Sequence, residues 1–97
     1  MDRKRFYLSG SKIMTYINTS GQIVRAWKWD GTRAGIDSRP DWILPFTGWK
    51  PGALIIYGST SSVVRAKPTW VVEEADGKGC FPCFLENFAK IYKVCTL

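Results

Sequence analysis

The sequence contains no histidine among its 97 residues. Histidine is the commonest general base, the usual partner of a serine or cysteine nucleophile, and the commonest side-chain ligand of metal ions. Its absence removes the familiar catalytic triads and most zinc-enzyme sites. We therefore predict that the protein is not an enzyme, and we identify no catalytic residue and no cofactor-binding residue.

Carboxylates are also few, with eight aspartates and glutamates in the chain. Glu73 and Glu74 are adjacent, so on a strand they would project to opposite faces and would not form a catalytic pair. The glycine and serine run at residues 58–62 lacks the Gly-Lys-Ser/Thr of a phosphate-binding loop. Neither group of residues therefore predicts a reaction.

There are three cysteines, Cys80, Cys83 and Cys95. An odd number clustered late in the chain is not the disulfide framework of a secreted protein. The Cys-x-x-Cys spacing of the first two fits a redox dithiol or half of a zinc site. A zinc site would need a fourth ligand, from a carboxylate or from another chain, and a thioredoxin-like fold would need βαβ units. We expect the three cysteines to be structural and reduced, without metal.

Long apolar runs are missing, and none approaches the roughly 20 residues of a membrane-spanning helix. No signal peptide is visible. We therefore expect no membrane partner and a location in a reducing cytoplasm. The chain length predicts a single domain over residues 1–97, with residues 22–95 as its core and residues 1–20 as an N-terminal extension or a hairpin strand.

The chain is rich in aromatic and β-branched residues that are divided by frequent turn signals. Apolar residues make up 45% of the sequence and aromatic residues 14%. Clusters of turn-forming residues occur at residues 18–21, 50–52, 58–61 and 76–79. Between them we predict strands at residues 12–18, 22–29, 53–57, 62–66 and 69–74. Short helices are predicted at residues 37–44, capped by Asp37 or Ser38, and at residues 84–91.

This pattern predicts an α+β fold. The expected architecture is a small, twisted, mainly antiparallel β-sheet with one or two short helices on it, and a barrel-like closure of the sheet is one form of it. We expect four aromatic side chains to join the N-terminal strand, the fifth strand and the last helix: Trp29, Trp70, Phe88 and Tyr92.

The net charge is +6, and it is uneven along the chain. Residues 1–50 carry nine basic and four acidic side chains, whereas residues 51–97 carry five and four. A basic half is typical of proteins with an acidic partner, although such charge also serves solubility. Basic and aromatic residues alternate near the N-terminus and at residues 25–29, which suits phosphate contact and base stacking. The predicted partner-binding residues are Arg3, Lys4, Arg5 and Lys12.

Residues 24–31 (VRAWKWDG) have the pattern V-x-A-x-x-W-x-G. This segment resembles the opening segment of an uncharacterised family of small phage and prophage proteins. Its closing segment, P-G-D-W-I followed by P-C-x-x-x-x-F-x-x-x-Y, is matched by Trp70, Val71, Val72, Pro82, Cys83, Phe88 and Tyr92. The likeness covers about residues 23–93. The chain departs from the family pattern at residues 67–69, where Lys-Pro-Thr replaces Pro-Gly-Asp.

The resemblance implies an origin in a phage or prophage genome and a structural role for Cys83, which has a counterpart in the family. Its motifs are turn residues and core aromatics, so they specify no reaction. We expect a phage-encoded accessory protein that binds a host or phage protein, with inhibition of a host defence system as one form of that activity. The alternative is a small nucleic-acid-binding module that uses the basic N-terminal half.

Overall fold

The structure, a computed structural model, describes residues 14–65 and 67–95. This part of the chain contains eight strands and three short helices. Strands β1 to β8 are Met14–Asn18, Ile23–Trp29, Thr47–Lys50, Ala53–Ile56, Ser62–Arg65, Thr69–Glu73, Cys80–Cys83 and Tyr92–Val94. The helices are α1 (Arg33–Asp37), a 3-10 helix (Asp41–Phe46) and α2 (Leu85–Ile91).

The strands form two antiparallel sheets. The larger sheet has the order β7-β6-β2-β1-β8, and the smaller has the order β3-β4-β5. The predicted α+β class is confirmed, and so is the antiparallel pairing. The described strands form two open sheets and do not close into a barrel. Within the same residues, no helix has the length and the apolar character needed to cross a membrane.

Local turn chemistry explains why the predicted hairpins form. Between β1 and β2, the Asn18 side-chain oxygen accepts hydrogen bonds from the backbone N–H groups of Ser20 and Gln22, both at 2.9 Å. Gly21 supplies the positive φ of 84° that this turn requires. Gly52, at a φ of 75°, has the same role in the tight turn between β3 and β4.

The predicted helix at residues 37–44 is wrong in its extent. Helix α1 starts earlier, because the Thr32 hydroxyl caps it by accepting the backbone N–H of Gly35 at 3.0 Å. It ends at Asp37, and Ser38 caps its C-terminus by donating its backbone N–H to carbonyls of the helix. The following Pro40 cannot continue an α-helix, so a separate 3-10 helix begins at Asp41.

Three short strands were not predicted, namely β3, β7 and β8. Each has three or four residues and lies at one end of its sheet, so its local sequence carries little pattern. Strand β7 even contains Pro82, which a strand at the edge of a sheet tolerates because one row of its backbone groups is unpaired. Pairing with a neighbouring strand, and not intrinsic propensity, makes these segments extended.

The larger sheet is covered on both faces. On one face Trp29, Val71 and Cys80 pack against the smaller sheet, α1 and the 3-10 helix. The opposite face packs against Phe88 of α2. The prediction that Trp29 joins the cluster of the last helix is therefore wrong, because its position on β2 directs it to the other face. The remaining three aromatics of that prediction do meet, since Phe88 stacks on both Trp70 and Tyr92.

Two glycines allow the sheets to approach each other closely. A Cβ on Gly79 would lie 2.5 Å from the Cα of Gly58, and a Cβ on Gly58 would clash with the Cys80 carbonyl oxygen. The absence of side chains brings the backbones close enough for the Cys80 N–H to donate to the Tyr57 carbonyl at 2.9 Å. This junction ties the end of β4 to the start of β7.

Candidate functional site

The predicted partner-binding residues Arg3, Lys4, Arg5 and Lys12 lie outside the residues that the structure describes. Their role stays a prediction. The described part of the chain carries ten basic and seven acidic side chains, so it has an excess of positive charge of its own. Among the described residues, the groups that could form a site are the cysteines, the carboxylates and the side chains that line surface clefts.

The cysteines do not come together. Residues three apart on a strand point to opposite faces, so Cys80 and Cys83 lie in different clusters of the core. Cys95 follows β8, at the other edge of the larger sheet, where its backbone N–H donates to the Thr15 carbonyl. Four strand spacings, roughly 19 Å, separate the two edges. The described residues contain no group of three or more cysteines and carboxylates arranged to hold a metal ion.

Burial changes the acidity of two of the thiols. It raises the pKa of the Cys80 thiol to about 12, with the charges of Glu73 and Glu74 adding to the rise and that of Arg25 opposing it. Burial also raises the pKa of Cys83. The thiolate is the reactive form of cysteine. Both thiols are therefore protected from reaction, because they are buried and because their raised pKa values leave little thiolate.

We expect the three thiols to differ in reactivity in the native protein. At pH 8 a thiol with a pKa near 12 has roughly one molecule in ten thousand as thiolate. A soluble disulfide reagent should therefore label Cys95, which is partly exposed, and label Cys80 and Cys83 only after unfolding. Cys95→Ser should remove the labelling seen under native conditions. Fast labelling of Cys80, located by peptide mapping, would contradict this assignment.

The two adjacent glutamates have separate structural partners. Glu73 forms an ion pair with Arg25 at 2.6 Å and also accepts the backbone N–H of Arg25 at 3.1 Å. Burial alone would raise the pKa of Glu73, but the hydrogen bonds and charge of Arg25 outweigh it and leave the pKa below its usual value. Glu74 accepts hydrogen bonds from the backbone and hydroxyl of Ser59. Their carboxylates therefore do not face a common substrate site.

A cleft beside α1 has a different character. It has a volume of about 280 Å³ and lies between the start of α1 and the hairpin formed by β3 and β4. Its walls include Trp29 and Ile36 on one side and Trp49 and Ala53 on the other. The Trp29 indole, which is 1% exposed, forms the base of the cleft, whereas Trp49 is 42% exposed and stands at its mouth.

Two backbone features shape this cleft. Gly31, at a φ of 89°, turns the chain from β2 into α1. A Cβ at Gly31 would lie 2.9 Å from the Lys67 backbone, so a larger residue would push the turn away from its neighbour. Across the cleft, Gly52 has no atom within 4 Å of where its Cβ would be. A Cβ at Gly52 would therefore lie in open space.

Arg33 and Trp49 form the most distinctive contact of the cleft. The guanidinium carbon of Arg33 lies 3.5 Å from the centroid of the Trp49 ring, which is a close cation–π contact. Asp37, one turn along α1, accepts the Arg33 Nε–H at 3.1 Å and holds the guanidinium in place. Both groups of this ion pair are exposed. The stack is thus a preorganised aromatic and cationic surface that faces solvent.

Further positive charge lies on the hairpin side. Lys50, Ala53 and Arg65 are register partners across the three strands of the smaller sheet, so the two cations flank the alanine. Neither cation forms an ion pair with any carboxylate in the described ranges. The nearest acidic residue on the other side, Asp30, is engaged with Thr32 through two hydrogen bonds. Of these two cations, only Lys50 lines the cleft. Lys50 and Arg65 share the face of the smaller sheet opposite to that of Trp49, whose register partners Leu54 and Val64 are buried.

Two other surface depressions are less suited to a ligand. A larger open cleft of about 570 Å³ is lined by Asn18, Glu74 and Asp76, but these side chains already accept hydrogen bonds from the backbones of their own turns or of a neighbouring turn. A shallow depression holds Phe84 with the Lys67 ammonium 4.4 Å from its ring centroid. Neither is lined by a stacked arginine and tryptophan.

Sequence reasoning did not single out Arg33, Trp49 or Lys50. The alternation of basic and aromatic residues at residues 25–29 drew attention to β2, where Trp29 proves to be core and Arg25 is paired with Glu73. The signal available in the sequence was the Trp-Lys-Pro-Gly run, which places a large aromatic residue beside a cation and a tight turn. Comparisons of the chain with protein-family models, curated proteins and solved structures give no match.

Proposed function

We propose that this chain is a phage- or prophage-encoded accessory protein that acts in the bacterial cytoplasm by binding a partner protein and covering part of its surface. Inhibition of a host defence system is one form that this activity would take. The phage origin rests on the sequence resemblance. The binding role is supported by the Arg33–Trp49 stack beside the apolar cleft.

The composition of this surface favours a protein partner. Tryptophan and arginine are the residues that most often dominate the energy of protein interfaces, especially next to a pocket that becomes dry on binding. Holding Arg33 against Trp49 before binding reduces the side-chain ordering that association would otherwise require. Trp49 is 42% exposed, so its side chain is accessible to a partner.

A nucleic-acid partner is the second candidate, favoured by the exposed cations Lys50 and Arg65 on the same three-stranded sheet as the exposed indole of Trp49. Two observations favour protein. One face of the Trp49 ring is already covered by Arg33, which leaves less of it for base stacking. In addition, the Trp29 indole N–H donates to the Thr32 carbonyl at 2.8 Å and so cannot read a base edge.

The test compares Trp49→Ala with a matched control, Phe84→Ala. Both aromatic residues are similarly exposed, at 42% and 46%, and both contact a cation. After a dominant partner has been isolated with the parent protein and purified, its Kd is measured for all three proteins. Trp49→Ala should weaken binding by roughly thirtyfold or more, as loss of an interface hot spot does. Phe84→Ala should change it less than about threefold.

Equal effects of the two substitutions would contradict the proposal. Tight, strongly salt-dependent binding of the parent to single-stranded DNA or RNA, lost in Trp49→Ala, would instead establish the second candidate. The same assay tests the proposed contacts of the N-terminal cations, by neutralising Arg3, Lys4 and Arg5 together.

A further inference from the structure

We infer that strand β5 is an open sheet edge that takes up an extended, acidic segment of the partner protein as an additional strand. The inference rests on the proposed function for the existence of a protein partner. It adds a second contact surface, at the other edge of the smaller sheet from Trp49. Three features carry it: the backbone groups of β5, the protection of the other sheet edges, and the side chains beside β5.

The hydrogen-bond ladder of the smaller sheet determines which backbone groups of β5 point outwards. The Tyr57 N–H donates to the Phe46 carbonyl at 2.8 Å, so the odd-numbered residues of β4 bond towards β3. The even-numbered residues of β4 therefore bond towards β5, where their register partners are also even-numbered. The N–H and C=O groups of Val63 and Arg65 consequently point away from the sheet. Within the described residues, neither backbone makes another hydrogen bond.

The other three sheet edges of the described residues are interrupted. On β7 the outward N–H of Cys80 donates to the Tyr57 carbonyl at 2.9 Å, and Pro82, the next outward residue, has no N–H. On β3 and β8 the first outward N–H groups, those of Thr47 and Tyr92, donate to carbonyls of the preceding helix. Folded proteins protect their sheet edges in such ways because an exposed edge pairs with other chains. Among these four edges, only β5 has two consecutive outward N–H groups that lack an acceptor.

The side chains beside this edge define the chemistry of the added strand. Val63 and Arg65 lie on the face of the smaller sheet opposite to the buried Val64, and both are exposed, Val63 at 48%. An added strand would set every second side chain directly opposite these two. An apolar side chain would complement Val63, and a carboxylate would complement Arg65, which makes no ion pair within the described residues. The segment is therefore expected to alternate and to be acidic on one face.

A second copy of this chain is the less suitable occupant of the edge. Pairing of two β5 strands about a two-fold axis would bring two copies of Arg65 into one patch, with the exposed Lys50 on the same face. No carboxylate offsets that charge on this face, which consists of residues 48, 50, 53, 55, 63 and 65. Charge complementarity therefore favours an acidic segment of a different protein.

Amide hydrogen exchange of the full-length protein, resolved by NMR, tests whether the edge is open. The N–H groups of Val63 and Arg65 should exchange about tenfold or more faster than those of Ser62 and Val64, which are bonded in the ladder. Slow exchange of Val63 and Arg65 at every concentration would mean that another part of this chain covers the edge. Slow exchange that develops only as the concentration rises would mean that a second copy covers it. Either result would overturn the inference.

The binding probe is the blocked heptapeptide Thr-Glu-Thr-Val-Thr-Glu-Thr, whose valine and one glutamate can lie opposite Val63 and Arg65 in either strand direction. It should shift the amide signals of residues 62–65 and bind about fivefold or more tightly than the same peptide with lysine in place of glutamate. N-methylation of the valine, or of the two threonines beside it, should have unequal effects, because a strand pairs through alternate residues. The absence of any shift, or equal effects of the two methylation patterns, would contradict strand addition.

Two variants of the protein test the backbone and the charge of the edge separately. Val63→Pro removes an outward N–H and keeps the ladder with β4, and it should abolish binding of the acidic peptide. Arg65→Glu keeps every backbone group and should weaken the acidic peptide about fivefold or more, and it remains decisive if the proline variant does not fold. The matched control is Lys93→Glu, an exposed cation on β8, which should change the affinity less than about twofold. Equal effects of the two charge reversals would overturn the assignment to β5.

The failure of this inference is distinguishable from the failure of the proposed function. If Trp49→Ala abolishes capture of the partner but Val63→Pro and Arg65→Glu leave it unchanged, the binding role stands and the contact at β5 is wrong. If Trp49→Ala leaves capture unchanged but Arg65→Glu weakens it, the proposed role of the cleft is wrong and the contact at β5 stands.

Discussion

Replacing Phe88 with alanine should lower the free energy of unfolding by about 3–5 kcal/mol. Phe88 is the buried side chain of α2, and its ring stacks on Trp70 at a centroid distance of 3.9 Å. It also meets Tyr16 edge-on at 5.1 Å and Tyr92 at 4.8 Å. Removing the ring leaves a cavity between three aromatic neighbours and removes the main contact of α2 with the sheet.

The matched control is Ile91→Ala on the same helix. Ile91 is 40% exposed, so its truncation should cost no more than about 1 kcal/mol. Chemical denaturation of both variants measures the difference, and near-ultraviolet circular dichroism reports the aromatic stack. A Phe88→Ala protein with the denaturation midpoint of the parent would mean that α2 does not anchor this face of the sheet.

Replacing Trp29 with alanine should be as damaging, again by about 3–5 kcal/mol, but on the opposite face. Trp29 is 1% exposed and belongs to the cluster that joins the larger sheet to Ile36, Leu54 and Ile56. Its indole N–H also donates to the Thr32 carbonyl at 2.8 Å, where α1 begins. The substitution therefore removes both the filling of the core and a hydrogen bond that positions the helix.

Trp29→Phe separates the two contributions, because it retains much of the ring volume and loses the hydrogen bond. It should cost less than the alanine variant by about 1–3 kcal/mol. Since the total stability of a domain of this size is about 5–15 kcal/mol, Trp29→Ala is expected to be unfolded or close to it at 37 °C. Equal stability of the phenylalanine and alanine variants would contradict the packing assigned to this ring.

The parts of the fold that could be predicted are those that local chemistry determines. The hairpin between β1 and β2 follows from Asn18 and Gly21, and the α+β class follows from short β-rich segments between turns. The strands β3, β7 and β8 were missed because each has only three or four residues and lies at the edge of its sheet, and the partner of β8 is also distant in sequence. The start of α1 was missed because the Thr32 cap was not recognised.

Strand parity explains why the Cys-x-x-Cys motif was ambiguous. On a helix or in a tight loop, that spacing brings two thiols together. On β7 it sends Cys80 and Cys83 to opposite faces, and the sequence did not identify β7 as a strand. The candidate site was missed for a related reason. Trp29, Arg33 and Trp49 come from three separate elements, and only the packing of α1 against the hairpin brings them together.

The central claim is that the cleft between α1 and the β3–β4 hairpin is the surface that contacts the partner. The most direct test is hydrogen exchange of the full-length protein, alone and bound to the captured partner. The account predicts slower exchange at residues 31–36 and 47–53 in the complex, with little change in α2. Protection confined to α2 or to the loop at residues 58–61, with residues 31–36 and 47–53 unaffected, would contradict it.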